Sequence, residues 1–514
     1  MSATARNGVA SRLLTPIRAG MLSAVGGGVA GALTLHHALV GAFYDDGLYA
    51  GIAVALGKGM GYVHPHLPGT PAAVHYPPLY PLVLTPLFAL FPVPTAALLG
   101  QILNVFLAAL GAGLVTAHAV RIRLLGDDAP TWLAPACVLG AAIAIPVLAV
   151  QSVLFSEPLF TVLLAAGVML VDRSRDRPRA VRAALVGGVL AALALLTRSI
   201  ALAAAAGMPA FLLFVRRRPL AEVAAVFLPL LLAAVGWGAW TELHRRGIDP
   251  AIAMNYGSYT EVIRQDGFHA FGRRAPDLLR PLAAITVGWI PWRPFYYLAA
   301  AAGLGVFLFG MWLVVRRSAI GFTLVAYFAI LAVWPYQPDR FVWAVLPWLA
   351  LIWMAGAVRI HQAYRRWRIP LAVTAVVGLA GFVQLEIRGI AGRWWRSQQD
   401  AISANFRELL PGLASLPPGA VLASDDEALV WLYNRRPTVP FYIYAYRQGV
   451  EVRATPESHR AYLERQGVTH VLLSGFGSGS DQEMDALLGA FPGWLTMVRA
   501  WPGGRALFRV NRGG

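Results

Sequence analysis

The chain has 514 residues, of which 57% are hydrophobic and only 13% are charged. Soluble domains contain about 25% charged residues, so this composition is typical of a membrane protein and argues against an ordinary soluble enzyme. The formal charge of +17 comes from 42 arginines and a single lysine, Lys58. These arginines lie in short runs between apolar segments and not on one soluble stretch, so we expect no nucleic-acid partner.

Most of the chain consists of apolar runs long enough to cross a hydrocarbon core of roughly 30 Å. We predict eleven transmembrane helices, with membrane lipids around them, and two shorter apolar pieces at 81–91 and 281–292 that lie in the interface or re-enter. The N-terminal run lacks an obvious cleavage site, so we interpret it as an uncleaved first span. The predicted spans are 19–41, 95–120, 131–151, 155–172, 181–197, 199–215, 219–241, 296–315, 319–335, 341–358 and 370–387.

The placement of arginine predicts the orientation of these spans. With a cytoplasmic N-terminus, the inner segments hold nineteen arginines, among them Arg6, Arg12 and Arg175. The short outer segments hold only Lys58, Arg198 and Arg340, and the long outer loop 242–295 holds seven more. This bias follows the positive-inside rule. Because the number of spans is odd, everything after residue 388 is expected on the outer face.

The residues after 388 have a different character and predict a small α/β domain. They contain 11 of the 26 acidic residues, and the segments "GAVLASD" and "VTHVLLSG" alternate as strands do. The segment "TPESHRAYLERQG" predicts a helix with a threonine cap, and "RALFRV" predicts an edge strand. The predicted organisation is therefore a transmembrane domain, 1–387, with a first outer loop at 42–94, followed by an extracytoplasmic domain, 388–514.

Two adjacent aspartates, Asp45 and Asp46, stand at the end of the first predicted span, in "FYDDGLYAGIAVALGKGMGY". Two like charges this close cannot both ionise freely, so one carboxyl is expected to have a raised pKa suited to proton transfer. The alternative is that the pair only marks the water-facing start of a helix, where aspartate is favoured.

Arg198 and Arg340 are lone cations at the outer ends of spans. Charged groups at membrane depth are costly and tend to be functional. A guanidinium group is well suited to bind a phosphate with two parallel hydrogen bonds. The alternative is that both side chains snorkel to the interface, or that Asp339 pairs with Arg340.

The order of several motifs resembles the lipid-linked sugar transferases of the GT-C superfamily, which include protein mannosyltransferases, aminoarabinose transferases and the bacterial RgtA/B/C/D-like group. The resemblance covers nearly the whole chain and implies a GT-C type, α-helical polytopic membrane fold. In this sequence Ser199 stands where proline is common, and Phe341 replaces the usual tyrosine. The motifs are the acidic pair, "FSEPLF" at 155–160, "LLTRSI" at 195–200 and "QPDRFVWAVLPWLA" at 337–350.

The resemblance implies a glycosyltransferase, transferring a hexosyl or pentosyl group, in the bacterial cytoplasmic (inner) membrane. Its donor would be a polyprenyl-phosphate sugar and its acceptor a hydroxyl of a glycan, lipid or protein at the outer face. The first aspartate of the family motif, the general base, corresponds to Asp45, with Asp46 second. The other candidate residues are Arg340, Arg198 and Lys58 for the donor phosphate, and Tyr49, Tyr76, Tyr80 and Glu157 for substrate.

No cofactor is predicted. His64, His66 and His75 share the outer loop with the aspartates, but their spacing matches no compact zinc signature, so a divalent metal is the weaker alternative. Two other functions stay open. A transporter or flippase of lipid-linked glycans would show charged or broken helices at mid-membrane and a structural repeat. A non-catalytic membrane scaffold would bind a partner through its outer domain and would not need Asp45.

Overall fold

The computed structural model describes residues 14–173, 177–266, 269–334, 336–447, 450–475 and 478–511. Arg6, Arg12 and Arg175 lie outside the described residues. The first eighteen helices are α1 (Pro16–Ala32), α2 (Asp45–Gly57), α3 (Leu79–Leu90), α4 (Val93–Arg121), α5 (Leu133–Ile143), α6 (Ile145–Gln151), α7 (Glu157–Arg173), α8 (Arg177–Thr197), α9 (Leu202–Ala210), α10 (Leu220–His244), α11 (Ala253–Tyr256), α12 (Tyr259–Asp266), α13 (His269–Thr286), α14 (Arg293–Val314), α15 (Ala319–Ala332), α16 (Asp339–Ala344), α17 (Leu346–Ala363) and α18 (Arg368–Ala391).

The last part of the chain alternates helices with short strands. Its elements are α19 (Ser397–Leu413), β1 (Leu422–Ser424), α20 (Glu427–Asn434), β2 (Thr438–Pro440), β3 (Tyr444–Arg447), β4 (Val450–Arg453), α21 (Pro456–Arg465), β5 (His470–Leu473), α22 (Ser478–Ala490), β6 (Leu495–Trp501) and β7 (Arg505–Val510). The structure is therefore mainly helical, with all described strands near the C-terminal end.

Within the described residues, five helices are long and apolar enough to cross a membrane: α4, α8 from residue 180, α10, α14 and α18. The bent pair α5 and α6 would make a sixth. Several other predicted spans correspond to shorter helices, since α1 and α7 have 17 residues and α15 has 14. The total of eleven spans stays a prediction.

The long apolar helices at the periphery expose their hydrophobic side chains. In the most apolar window of α10 only 17% of the residues are buried, and in α18 only 11%. Leu232, Val235, Ile369 and Val376 are among the side chains that stand clear of the protein. A soluble protein rarely exposes apolar patches of this extent, so these faces are suited to contact lipid chains.

Two predicted spans differ from the helices observed. The first helix ends at Ala32 and not at residue 41, and the chain then turns, with the amide of His36 donating to Gln101 Oε1 at 3.2 Å. The span predicted at 131–151 is broken by a bend of 66° between Ile143 and Ile145. The amide of Ile145 donates to the carboxylate of Glu386 at 3.1 Å, so a distant side chain caps the second half.

The helix ends near two candidate arginines also differ from the prediction. Arg198 lies in the break between α8 and α9, followed by a 3₁₀ turn at Ser199–Ala201. The span predicted at 341–358 is instead the short helix α16, which contains Arg340, and then α17, which ends at Ala363. The apolar piece predicted at 281–292 leaves its helix at Thr286.

The α/β part contains a five-stranded sheet in the order β2-β1-β5-β7-β6. β1 runs parallel to β2 and β5, whereas β7 runs antiparallel to β5 and β6. The strands predicted in "GAVLASD" and "VTHVLLSG" are confirmed as β1 and β5, and Thr455 caps α21 as predicted. The prediction that "RALFRV" forms an edge strand is wrong. This segment is β7, which pairs with β5 on one side and with β6 on the other, so β6 is the edge strand.

The part of the chain that contains the five-stranded sheet, from α19 to β7, is called the sheet domain, and it packs directly on the turn that precedes α2. A Cβ atom at Gly41, whose φ is +103°, would lie 2.6 Å from Cβ of Leu429 on α20. A Cβ atom at Gly47 would lie 3.0 Å from Cβ of Ala428. Only glycine allows this close approach, so the first residues of α2 are held between the helical domain and α20.

We expect Gly310→Ala to destabilise the packing of α14 on α17. A Cβ atom there would lie 1.9 Å from the carbonyl oxygen of Ile352, and overpacking of this kind typically costs about 1–3 kcal/mol. Gly303→Ala in the same helix is the control, because nothing lies within 4 Å of its added Cβ. Thermal unfolding of both variants in detergent should show a lower Tm for Gly310→Ala alone, and equal Tm values would contradict the close contact.

Candidate active site

A cavity of about 300 Å³ lies where the start of α2 meets the α8–α9 break, the loop before α16 and strand β3. Its walls are rich in aromatic side chains, and the charged residues among them are one aspartate and two arginines. The lining residues are Tyr44, Asp45, Tyr49, His75, Tyr76, Pro77, Thr197, Arg198, Ser199, Ile200, Asn255, Tyr259, Trp334, Tyr336, Gln337, Arg340, Phe341 and Tyr444.

Asp45 presents its carboxylate to this cavity from the first turn of α2. Its Oδ1 accepts a hydrogen bond from the hydroxyl of Tyr76 at 2.7 Å, and its Oδ2 accepts one from Nη1 of Arg340 at 2.6 Å. The side chain keeps 20% of its surface exposed. The carboxylate is thus fixed in orientation by two donors and still accessible from the cavity.

The two arginines share a single carboxylate, Glu157, at the start of α7. Glu157 Oε1 lies 2.8 Å from Nη2 of Arg340 and 2.9 Å from Nη1 of Arg198, and its side chain is only 2% exposed. Each guanidinium group also lies over an aromatic ring, with Arg340 Cζ 3.6 Å from the ring centre of Phe155 and Arg198 Cζ 4.7 Å from that of Phe341. These contacts fix both cations at the cavity wall.

The two aspartates of the pair have opposite pKa shifts. Burial alone would raise the pKa of Asp45, but the positive charge of Arg340 and the hydrogen bond from Tyr76 lower it overall. Burial raises the pKa of Asp46 to about 6, although the backbone amides of Gly41 and Phe43 partly offset this effect. The sequence-based expectation of one raised pKa therefore applies to Asp46, and the carboxylate that faces the cavity is the one with the lowered pKa.

Asp46 does not line the cavity. Its Oδ2 accepts the amide of Gly41 at 2.8 Å and its Oδ1 accepts that of Phe43 at 3.0 Å, and the residue is only 3% exposed. Asp46 therefore closes the turn in front of α2, next to the carboxylate that faces the cavity, and its grouping with Asp45 as a catalytic residue stays a prediction.

The other predicted residues divide into those at the cavity and those away from it. Tyr49 and Tyr76 line it, with their ring centres 4.9 Å apart, and the hydroxyl of Tyr49 lies 3.0 Å from Ser156 Oγ. Tyr80 is fully buried behind Tyr49 and donates to Asn104 Oδ1 at 3.1 Å. Lys58 is exposed at the other end of α2, roughly 20 Å along the helix from Asp45 at 1.5 Å per residue.

Sequence reasoning missed several residues of the cavity wall. Trp334 and Tyr336 directly precede the recognised motif around Arg340, so the aromatic residues of "WPYQPDR" were a usable signal. Tyr259 comes from the long segment 242–295 and packs on the ring of Trp334 at 4.8 Å. Tyr444 comes from the sheet domain and donates to Asn255 Oδ1 at 2.8 Å. Nothing in the local sequence indicates that these last two line the same cavity as Asp45.

The three histidines of segment 42–94 are buried. Burial lowers the pKa of His75 to about 4 and that of His66 to about 3, and it lowers the pKa of His64 well below its usual value. His75 Nδ1 donates to the carbonyl oxygen of Gly257 at 2.7 Å. Across the described ranges, no group of three or more His, Cys, Asp or Glu side chains is arranged to hold a metal ion.

A second polar network joins the cavity to the sheet domain. Tyr44, which precedes Asp45 and has a φ of +63°, packs its ring against Tyr256 at 6.2 Å. The hydroxyl of Tyr256 donates to Glu427 on α20 and lies 2.8 Å from His66 Nε2. Burial raises the pKa of Glu427 to about 7, although the hydrogen bond from Tyr256 opposes the shift. The carboxyl group of Glu427 in the sheet domain is therefore linked, through Tyr256 and Tyr44, to the turn that carries Asp45.

No protein-family model matches the sequence, and a search of curated proteins gives no significant match. Among solved structures, the chain is similar to ArnT from Cupriavidus metallidurans bound to undecaprenyl phosphate, with 14% identity, 95% of this chain and 97% of that chain covered, and a TM-score of 0.47. It is also similar to the oligosaccharyltransferase AglB from Archaeoglobus fulgidus in complex with an inhibitory peptide and a dolichol-phosphate, with 12% identity, coverages of 88% and 69%, and a TM-score of 0.49. Both identities lie below 25% and both TM-scores lie below 0.5.

We expect the free energy of unfolding of the sheet domain to fall as the pH rises from about 4.5 to about 7. The pKa of Glu427 rises from its ordinary 4.5 to about 7 in the folded protein, so only the unfolded chain loses this proton in that range. A shift of this size corresponds to a few kcal/mol at most, at about 1.4 kcal/mol per pKa unit. Glu427→Gln should flatten the pH dependence of Tm measured by tryptophan fluorescence, and an unchanged slope would remove Glu427 as its source.

Proposed function

We propose that this protein is a membrane glycosyltransferase that moves a sugar from a polyprenyl-phosphate donor to an acceptor hydroxyl at the outer face of the membrane. The observation that carries the proposal is that one carboxylate, Asp45, and two guanidinium groups, Arg198 and Arg340, face the same cavity of about 300 Å³. A carboxylate is suited to accept a proton, and paired guanidinium groups are suited to hold a phosphate.

In the proposed reaction the acceptor oxygen attacks the anomeric carbon of the donor sugar. The bond from that carbon to the phosphate oxygen breaks, and the polyprenyl phosphate leaves with the bonding electrons. The hydroxyl proton passes to Asp45, the general base. Arg340 and Arg198 stabilise the negative charge that develops on the leaving phosphate, where a fixed cation is most effective.

The ion pair between Asp45 and Arg340 gives the reaction an order. Nη1 of Arg340 lies 2.6 Å from Oδ2 of Asp45 and keeps the pKa of this carboxyl low, so the paired carboxylate is a weak base. A donor phosphate at Arg340 competes with Asp45 for the same guanidinium group. Arg340 then stabilises the ionised form of Asp45 less, so the pKa of Asp45 rises and its carboxylate becomes a stronger proton acceptor when the donor is bound.

The two guanidinium groups of the cavity wall suit a phosphodiester donor. Asp45, Arg198 and Arg340 are the charged residues that line the cavity, and the buried carboxylate of Glu157 brings this cluster to zero net charge. The single negative charge of a donor phosphate would therefore bind by competing with Asp45 for Arg340. Glu157 lies behind the two arginines with 2% of its side chain exposed, so we assign it to positioning the guanidinium groups, in place of the substrate contact first expected.

The aromatic walls supply the remaining part of the site. Tyr259, Trp334, Tyr336 and Tyr444 surround the space in front of Asp45, and such rings pack against the apolar faces of a sugar or an isoprenoid. In the proposed orientation the N-terminus is cytoplasmic and the sheet domain lies outside. The acceptor would be a hydroxyl of a glycan, a lipid or a protein.

We expect Asp45→Asn to lower the rate of transfer by about 10²–10⁴-fold, because the amide keeps the shape of the side chain and removes the proton acceptor. The assay would follow release of polyprenyl phosphate from polyprenyl-phosphate sugars extracted from host membranes. Asp46→Asn is the matched control, since it changes a carboxylate that does not line the cavity. It should lower Tm and leave the activity of the folded fraction much closer to wild type. Near-normal turnover by Asp45→Asn would remove the catalytic assignment and favour a scaffold.

We expect Arg340→Ala to weaken binding of a polyprenyl phosphate by about 10- to 150-fold, which corresponds to roughly 1.5–3 kcal/mol for a charge-assisted contact. Arg340→Lys should restore only part of the affinity, because the planar fork is lost. Arg293→Ala, an exposed arginine at the start of α14, serves as the control. Titration of purified, folded protein with the lipid phosphate provides the measurement, and normal affinity in Arg340→Ala would overturn the phosphate assignment.

A further inference from the structure

A second cavity, of about 500 Å³, lies between α14, α17 and α18. α17 begins at Leu346, six residues after Arg340, and its 18 residues extend for about 27 Å. The second cavity adjoins the far end of this helix, so it belongs to the opposite side of the helical domain from the candidate active site. Its lining residues are Ala302, Gly305, Val306, Phe309, Ile360, Tyr364, Arg366, Trp367, Pro370, Leu371 and Thr374.

The walls of this cavity are almost entirely apolar and open towards the surface that faces lipid. α14 and α17 touch closely at Gly310, where an added Cβ would lie 1.9 Å from Ile352 O. At Gly305, which lines the cavity five residues before Gly310, no atom lies within 4 Å of an added Cβ. α18 stands beside this gap with most of its surface uncovered. The result is an apolar groove between α14, α17 and α18.

The mouth of the groove carries a strong and unbalanced positive charge. Arg359, Arg365, Arg366 and Arg368 lie within ten residues, and residues 354–385 contain no Asp or Glu. Within the described part of the chain, none of these four arginines forms an ion pair with a carboxylate. Trp367 is exposed beside them, as aromatic anchors are at a membrane interface.

We propose that this groove binds an anionic glycerophospholipid of the leaflet opposite to the active site. An acyl chain would lie against α14 and α18, and the phosphate would bind Arg366, whose fork matches a phosphate better than an ammonium group does. Basic pockets between transmembrane helices are suited to anionic head groups. The length of α17 separates this site from Arg340, so its lipid is not the sugar donor.

The test is native mass spectrometry of the full chain in detergent, titrated with an equal mixture of phosphatidylglycerol and phosphatidylcholine. Wild type should retain phosphatidylglycerol preferentially. Arg366→Gln should lower the retained phosphatidylglycerol by about fivefold, as expected for one arginine near a membrane phosphate. Gly305→Leu, which fills the groove, should lower it to a similar extent without changing any charge.

Two matched variants control for general effects. Gly238→Leu adds the same bulk on the lipid-facing side of α10, where nothing lies within 4 Å of an added Cβ. Arg217→Gln removes an exposed arginine between α9 and α10. Both should retain lipid as wild type does. If Arg366→Gln does not fold, Gly305→Leu still decides the question.

Equal retention of both lipids by wild type, or wild-type retention in Gly305→Leu, would overturn the proposal. A loss in Gly238→Leu as large as that in Gly305→Leu would do the same, because it would show non-specific lipid contact. Displacement of phosphatidylglycerol from the groove by a polyprenyl phosphate would assign the groove to the donor lipid and overturn it as well. None of these outcomes depends on transfer activity, so the glycosyltransferase proposal stands or falls separately.

Discussion

The site depends on one carboxylate oxygen, Glu157 Oε1, which lies within 2.9 Å of both Arg198 and Arg340. Two guanidinium groups so close together repel each other, and removing them from water is costly. A buried carboxylate between them reduces the repulsion and fixes both cations on one wall. Apolar residues in place of a buried ion-pair network are often neutral or stabilising. We therefore assign this network to the positioning of the two guanidinium groups and not to the free energy of unfolding. Protein groups alone hold both cations in position, and such preorganisation is the condition for strong electrostatic stabilisation of a developing charge.

The ion-pair network of Glu157 extends through Arg340 to Asp45, and the turn that carries Asp45 contacts the sheet domain. Asp45 is held by Tyr76 and Arg340 on one side and by the turn closed by Asp46 on the other. The unusual φ of Tyr44 in this turn typically costs of order 1–3 kcal/mol and persists only where the surroundings enforce it. Gly41 and Gly47 allow α20 to pack directly on the turn, and this packing holds Tyr44 in its conformation. The sheet domain is therefore part of what positions the carboxylate and not an independent appendage.

Residues that stand out against an apolar background could be found from the sequence. Asp45, Arg198 and Arg340 are charged residues at the ends of apolar runs, and the structure brings all three to one cavity. Lys58 also lies near an apolar run, but it stands at the end of α2 away from the cavity, which composition cannot reveal. Contacts between distant segments carry no local signal: Tyr444 reaches the cavity from the sheet domain, and Glu386 caps a helix 241 residues away. β7 is not the edge strand that its sequence predicts, because β6 pairs with its free side. β6 could not be predicted, since it is mostly exposed and lacks the alternation of apolar and polar residues on which strand prediction rests.

In the reaction that we propose, the contact between Asp45 and Arg340 reconciles a lowered pKa with a role as a base. Pairing with Arg340 lowers the basicity of the carboxylate, and a phosphate that takes over part of the guanidinium charge would raise it again. Glu157 binds Nη2 of Arg340, so this guanidinium group would stay in place while Nη1 passes from Asp45 to the phosphate. Donor binding at Arg340 and proton acceptance by Asp45 would then be consecutive steps that one arginine couples.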